Sequence, residues 1–138
     1  MGKKIALLAV LLGLVVAGHA ATPPVIVRTI ALQGQTAAIP PATIFTPQRT
    51  GLLRISVYMA ATAGSGNPGS WEAQINWTDD AGPEFTVGWL YIPDGANAWA
   101  QNSIVIEAVA GEPITISISA VTQYPGPTYS LYVVAEEI

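Results

Sequence analysis

The chain has 138 residues, of which 51% are hydrophobic and only 10% are charged, with a formal net charge of −4 and no cysteine. The lack of cysteine excludes disulfides, thiolate catalysis and cysteine-ligated zinc. The 13 glycines and 11 prolines are too many helix-breaking residues for an all-helical protein.

The first 20 residues have the pattern of a secretory signal peptide. A basic pair, Lys3-Lys4, precedes an apolar run over 5–17, and small residues at the −3 and −1 positions mark a cleavage site before Ala21. The run is shorter than the roughly 20 apolar residues of a membrane-spanning helix. An uncleaved N-terminal anchor is the alternative. We expect an exported bacterial protein, secreted or periplasmic, whose mature chain is 21–138.

Loss of this leader changes the inventory of charged residues. Both lysines and the only histidine lie in it, so the rest of the chain keeps Arg28, Arg49 and Arg54 against nine acidic residues, a net charge of −6. Three scattered arginines do not neutralise a phosphate backbone, so we expect no nucleic-acid partner. For the same reason we expect no membrane partner after cleavage.

Beyond the leader, apolar and polar residues alternate with the period of two that is typical of β-strands, and clusters of Gly, Pro, Asn and Asp separate the runs. About eight strands are predicted, over residues 25–32, 36–45, 52–62, 71–78, 84–91, 102–109, 113–121 and 128–137. Many short strands joined by regular turns predict an all-β protein. Residues 21–138 are expected to form a single antiparallel β-sandwich of the jelly-roll type.

The first two predicted strands have features of sheet edges. Arg28 shares its parity with Ile26, Ile30 and Leu32, which indicates that this face is not simply core. One interpretation is that the segment covers a sheet edge or pairs with another subunit. The other is that it is an ordinary edge strand with a solvated arginine. Pro40-Pro41 in the next run predicts an edge or a break, because proline cannot donate to the ladder.

Four later runs divide most clearly into a buried and an exposed face. In 71–78 the alternation of apolar and polar residues is complete, and 52–62 and 113–121 follow a similar rule. We therefore expect Ile75 and Ile116 to be core residues. The second face of 128–137 is not fully polar, so we expect part of this strand to be covered on both sides.

Three segments carry a resemblance to known proteins. GLLRISVY at 51–58, INWTDDAG at 75–82 and YSLYVVAEE at 129–137 follow one another in order. From about residue 42 onward the chain resembles secreted bacterial and phage-associated β-sandwich proteins of uncharacterised function, and more distantly the jelly roll of the C1q and tumour-necrosis-factor type. It departs from the pattern at Leu53 and Asn76. The resemblance implies a jelly roll and a homotrimer, and no catalytic residue.

The residue types left after the leader exclude most catalytic sites. Without His, Cys or Lys, the usual nucleophile–base pairs cannot form, and zinc, iron and copper lack their usual ligands. We expect no catalytic residues, cofactor or metal. Asp79-Asp80 with Glu84 has oxygen ligands of the kind calcium takes, but Asp before Ala-Gly favours a turn. Two-carboxylate glycoside hydrolysis is the surviving enzymatic alternative. Its candidates are Glu72, Asp79, Asp80, Glu84, Asp94 and Glu107.

Aromatic residues flank the loop that follows the fifth predicted strand. Trp89 and Tyr91 precede the loop, Asp94 and Asn97 lie in it, and Trp99 follows it. Aromatic rings stack on sugar faces and the two polar side chains can hydrogen-bond hydroxyls, so these five residues form the candidate ligand-binding site. The alternative is that Trp89 and Tyr91, which share one parity, are core or interface aromatics.

The features together favour an exported, non-catalytic protein that acts as a structural, adhesive or assembly module. Few charges and no reactive residues are typical of a surface that self-associates. The alternative function is a small carbohydrate-binding module with a glycan partner, and catalysis ranks third.

Overall fold

The computed structural model describes residues 23–95, 97–124 and 126–138, so the predicted leader lies outside the described residues. Within these ranges the chain forms strands and no helix, and none of it could cross a membrane as a helix. The nine strands are β1 Val25–Gln35, β2 Ile39–Phe45, β3 Gly51–Ala63, β4 Ser70–Asp79, β5 Gly82–Phe85, β6 Leu90–Pro93, β7 Trp99–Ala108, β8 Ile114–Ala120 and β9 Thr128–Glu137.

The strands form two antiparallel sheets with the connectivity of a jelly roll. The four-stranded sheet has the order β1-β9-β3-β7, and the five-stranded sheet has the order β2-β8-β4-β5 with β6 also on β4. β1 therefore pairs with β9, β2 pairs with β8, and β4 pairs with both β5 and β6. This pairing is that of one long hairpin rolled into two sheets, which is the predicted all-β architecture.

The core lies between the inner faces of the two sheets. Alternate residues of the strands point into it, as the period of two requires. Ile75 and Ile116, predicted as core residues, are 0% and 2% exposed. Both sheets contribute their largest buried side chains to one cluster, which includes Leu53, Ile55, Met59, Trp71, Ile92, Ile114, Ile118, Tyr129, Leu131 and Val133.

The predicted strand 84–91 is divided in the structure into β5 and β6. The interruption begins at Thr86, whose hydroxyl accepts the N–H of Ile75 at 2.9 Å while its own N–H donates to the Ile75 carbonyl at 2.9 Å. Gly88 then takes a φ of 57°, a conformation that favours glycine. The Thr86 hydroxyl thus accepts a backbone N–H of β4 at the point where the chain after β5 leaves the sheet.

β1 is an edge strand whose parity changes at a β-bulge. The register shifts between Ile26 and Arg28, so Val27 is the extra residue. Val27, Ile30 and Leu32 pack against the core, whereas Ile26 and Arg28 are exposed. The predicted row through Ile26, Arg28, Ile30 and Leu32 is therefore not one face, and Arg28 is a solvated arginine on an edge strand.

A buried aromatic pair joins the five-stranded sheet to the start of β9. Trp71 and Tyr129 have ring centroids 5.5 Å apart, and the Trp71 indole N–H donates to the Pro127 carbonyl at 2.7 Å. The Tyr129 hydroxyl donates to the Ala37 carbonyl at 2.9 Å. Burial raises the pKa of Tyr129 to about 12. Gly126 packs against the indole so closely that a Cβ there would lie 2.5 Å from Trp71 Nε1.

Candidate functional site

The outer side of the four-stranded sheet carries a cluster of three exposed aromatic rings. The Tyr58 ring lies 6.4 Å from that of Trp99, nearly parallel at 26°, and 6.0 Å from that of Tyr132, tilted at 47°. The rings belong to three adjacent strands, β3, β7 and β9. We call this side of the sheet, centred on the three rings, the aromatic face.

Strand register brings these three rings together. Tyr58 lies directly opposite Tyr132 on β9 and opposite Gln101 on β7, and Trp99 is two residues from Gln101. Opposite and diagonal neighbours of antiparallel strands share one face and lie within reach of aromatic side chains. Since Leu131 and Val133 beside Tyr132 point into the core, the ring between them must point outward.

The rest of the aromatic face contains few charges. A shallow depression of about 480 Å³ lies beside the rings, lined in part by Ser56 and Ser103, whose hydroxyl oxygens are 3.1 Å apart. At the far end of the face, Leu52 and Val105 are each 51% exposed. An ion pair between Arg54 and Glu136, 3.5 Å apart, crosses two strands there. The rings and the depression beside them are thus uncharged, and the charged residues Arg54, Glu136 and Glu107 lie near one end of the face.

The outer side of the five-stranded sheet has the opposite composition. It presents two rows of polar side chains. The Gln74 amide donates a hydrogen bond to the Asn76 side-chain carbonyl at 3.1 Å, and the Asn76 amide donates to the Thr115 hydroxyl at 3.4 Å. We call this side the polar face. Its rows, on β4 and β8, are Glu72, Gln74, Asn76, Thr115, Ser117 and Ser119.

The five predicted ligand-binding residues do not share one surface. Trp99 lies on the aromatic face and is 62% exposed, whereas Tyr91 lies on the polar face opposite Glu72. Trp89 is half-buried and packs against the core. The two outer faces point in opposite directions, so no single small ligand contacts Tyr91 and Trp99 together.

Asp94 and Asn97 hold positions in the loop between β6 and β7. The Asp94 carboxylate accepts hydrogen bonds from the Ser65 N–H at 2.7 Å and from its hydroxyl at 3.0 Å, which ties this loop to the one between β3 and β4. Asn97 has a φ of 72°, in the left-handed region that Asn tolerates better than most residues. These interactions give both residues a role in loop geometry.

Asp79 takes part in the turn between β4 and β5. Its carboxylate accepts the N–H groups of Ala81 at 2.8 Å and Gly82 at 3.2 Å, the arrangement of an Asx turn. Within the described part of the chain, no three His, Cys, Asp or Glu residues cluster closely enough to hold a metal ion.

The candidate site predicted from the sequence does not include Tyr58 or Tyr132. Both occupy outward positions of predicted strands, next to residues that clearly belong to the core. The available signal was an aromatic residue on the otherwise polar face of 52–62 and a second one in 128–137. Their proximity depends on the pairing of β3 with β9, two strands far apart in the sequence.

No protein-family profile and no curated protein sequence matches the chain. Solved structures similar to it include tumour-necrosis-factor-like and carbohydrate-binding β-sandwiches. Eiger TNF from S. frugiperda is 11% identical with a TM-score of 0.40, over 80% of this chain and 92% of that chain. The CBM6cm-2 module of Cellvibrio mixtus lichenase 5A, in complex with cellotriose, is 13% identical with a TM-score of 0.36, over 79% and 97% of the respective chains.

A third similar structure contains the CBM22-1 and GH10 modules of Clostridium thermocellum xylanase 10B complexed with xylohexaose. It is 11% identical with a TM-score of 0.40, over 80% of this chain and 26% of that one. Likeness at this level carries no conclusion about function. The function of this chain must therefore be inferred from its own residues.

Proposed function

We propose that this protein is an exported, non-catalytic structural and assembly module, and that copies of the chain associate through the aromatic face. The observation that carries the proposal is the cluster of Tyr58, Trp99 and Tyr132 on the outside of a sheet with few charges. Rings in such a position leave apolar area in contact with water, and covering them with a second copy removes that area from solvent.

The size of the aromatic face suits an interface between copies. Four strands about 4.8 Å apart and ten residues long, at about 3.4 Å per residue, present roughly 650 Å². A standard protein–protein interface buries about 800 Å² on each partner. The face alone therefore provides most of the area that one stable contact needs, without a contribution from loops.

The residue types on the face also match those that dominate interface energetics. Trp and Tyr are enriched among residues whose truncation costs most binding energy, and they cluster near the centre of interfaces. Here the rings lie together, and the Arg54–Glu136 pair lies nearer one end, where its two charges can orient a neighbouring copy.

The chemistry of the chain supports a non-catalytic role. No His, Cys or Lys occurs after residue 20, so the Ser-His, Cys-His and Ser-Lys pairs cannot form. Of the carboxylates considered for glycoside hydrolysis, Asp79 and Asp94 are occupied by turn and loop hydrogen bonds. A surface role remains the function that these residues support best.

Light scattering coupled to size-exclusion chromatography of residues 21–138 tests the proposal. We expect an oligomer whose mass falls toward the monomer in Tyr58→Ser, with the matched variant Tyr91→Ser on the polar face behaving as wild type. A wild-type chain that stays monomeric at high concentration would contradict the proposal. So would equal assembly of all three proteins.

The alternative function is carbohydrate binding at Trp99, which would use the same rings. It is tested by comparing wild type with Trp99→Ala. A monomeric wild type that binds a glycan array, with the signal lost in Trp99→Ala, would replace assembly by carbohydrate binding on this face. An unchanged signal in Trp99→Ala, or no signal, counts against that alternative.

A further inference from the structure

We infer that the polar face is a second binding surface, and that it takes a neutral oligosaccharide laid along β4. This goes beyond the proposed assembly function, because it concerns the opposite sheet and other residues. Three observations carry it, namely a shielded polar floor, an exposed aromatic margin on one side of that floor, and the lack of positive charge on it.

The floor consists of side chains that are rich in hydrogen-bonding groups and only partly exposed. Glu72, Gln74 and Asn76 are half-buried. Ser117 and Thr115, opposite Gln74 and Asn76 on β8, are half-buried too, whereas Ser119 opposite Glu72 is exposed. Amides and hydroxyls both donate and accept, as sugar hydroxyls do. The hydrogen bonds from Gln74 to Asn76 and from Asn76 to Thr115 fix the orientation of the amides and leave further donor and acceptor capacity.

The margin of the floor consists of aromatic rings on β5 and β6. Tyr91 lies opposite Glu72 and Phe85 lies opposite Asn76, so register places both on the polar face. Tyr91 is 49% exposed and Phe85 58% exposed. These rings lie on the outer strands of the sheet and are more exposed than the half-buried polar side chains beside them. Exposed rings beside hydrogen-bonding groups offer the two kinds of contact a sugar makes, stacking and hydrogen bonds.

The arrangement also has a direction and a length. The floor runs along β4 from Glu72 to Asn76, a distance of about 14 Å at 3.4 Å per residue. One ring of the margin stands near each end. An extended chain of a few sugar units can therefore contact both rings while it spans the floor.

The charge of the floor selects for neutral ligands. Glu72 is its one acidic residue, and the three arginines of the described chain lie elsewhere, with Arg49 and Arg54 paired to Glu137 and Glu136 of the other sheet. An anionic polymer would meet a carboxylate with no cation to offset it. The Glu72 carboxylate also lies beside Gly88, close to the aromatic margin, where it can accept hydrogen bonds from hydroxyls.

Affinity electrophoresis in gels containing soluble neutral polysaccharides tests the inference. The probes are hydroxyethyl cellulose, xylan and glucomannan, with polygalacturonate as the anionic control. We expect wild type to be retarded by at least one neutral polymer and not by the anionic one. Tyr91→Ala and Gln74→Ala should each weaken binding by about tenfold or more, as the loss of one stacking or hydrogen-bonding group does.

The matched control is Tyr124→Ala, an exposed tyrosine in the loop between β8 and β9 and outside both faces, which should keep wild-type retardation. Unchanged melting temperatures verify that the variants fold. The inference is overturned if no neutral polymer retards the wild type, if both polar-face variants bind normally, or if Tyr124→Ala loses binding as strongly as they do. Oligomeric state is measured on the same samples, so failure of sugar binding and failure of assembly are distinguished.

Discussion

The two outer faces of this sandwich differ, although the inner faces behind them are alike. Behind both, aliphatic side chains alternate into one core. In front, the four-stranded sheet presents Tyr58, Trp99 and Tyr132, whereas the five-stranded sheet presents amides and hydroxyls. Because core packing constrains only every second residue of a strand, the other residues are free to define a surface. Both sheets share one core, and the proposed difference in function between them rests on their outward residues.

Both sheets contain register shifts, so they differ in where the pairing is interrupted. β3 pairs with β7 residue by residue over ten positions without a register shift. In the five-stranded sheet, β2 has two register shifts and the strand partner of β4 is divided into β5 and β6. The uninterrupted pairing of β3 with β7 holds Tyr58 beside Trp99 on the aromatic face. The division of β5 from β6 places the rings of Phe85 and Tyr91 at the margin of the polar floor.

The largest expected effect tests whether the two sides of one strand differ as the structure shows. Ile116→Asp buries an unpaired carboxylate and should unfold the protein, with a cost of about 4 kcal/mol or more. Ser117→Asp, one residue away on the polar face, should change the free energy of unfolding by less than about 1 kcal/mol. Urea denaturation followed by circular dichroism measures both, and equal stabilities would show that the faces of β8 are misassigned. Ile75→Asp on β4 should unfold the protein as Ile116→Asp does.

The next effect concerns the contact that joins the two sheets. Gly126→Ala forces a methyl group against the Trp71 indole and should cost about 1–3 kcal/mol. Gly51→Ala is the matched control, because a Cβ there meets no atom within 4 Å. Thermal melts of both variants provide the test. A Gly126→Ala protein as stable as the control would mean that Trp71 does not pack as the structure places it.

A smaller effect concerns the inner face of the four-stranded sheet at high pH. The pKa of Tyr129 rises from 10.0 in the unfolded chain to about 12 in the folded protein. Between these values the unfolded state releases its proton first, so the stability that Tyr129 contributes is lost as pH rises. Tyr129→Phe should remove this component of the alkaline loss, although it also removes the hydrogen bond to Ala37. Melting temperatures measured through this range check it, and an identical pH dependence in both proteins would contradict the burial of the hydroxyl.

The smallest effect is expected at the start of β4. Among the described residues, no group bonds the buried Ser70 hydroxyl. Ser70→Ala removes a desolvated group without a partner and should leave stability unchanged or raise it slightly, by about 1 kcal/mol at most. A clear loss of stability in denaturant would reveal a hydrogen bond that the structure lacks.

Sequence alternation alone predicted much of the core, including Ile75, Ile116 and the inward residues of β9. It did not predict the bulge at Val27 or the interruption at Thr86. Both depend on how a strand pairs with its neighbour. The bulge lies in the edge strand β1, and at the interruption the Thr86 hydroxyl accepts the Ile75 N–H in place of a backbone carbonyl. Such features depend on partners that are distant in the sequence.

The candidate site was predicted less completely, and the reason is again long-range pairing. Trp99 belongs to the candidate site predicted from the sequence, and it is exposed in the structure. Its neighbour in sequence, Tyr91, belongs to the other sheet, while its neighbours in space, Tyr58 and Tyr132, come from distant strands. Proximity in sequence therefore misled where strands change sheets, because a jelly roll separates consecutive strands such as β6 and β7.

The lack of cysteine in the chain allows the most direct comparison of the two faces. Gln101→Cys on the aromatic face and Ser119→Cys on the polar face each place one thiol at an exposed strand position. The rate at which a thiol reagent modifies each variant is measured as the protein concentration increases. We expect modification of Gln101→Cys to slow as copies cover the aromatic face, while that of Ser119→Cys stays constant. Constant rates at both positions, or slowing at Ser119→Cys alone, would contradict assembly through the aromatic face.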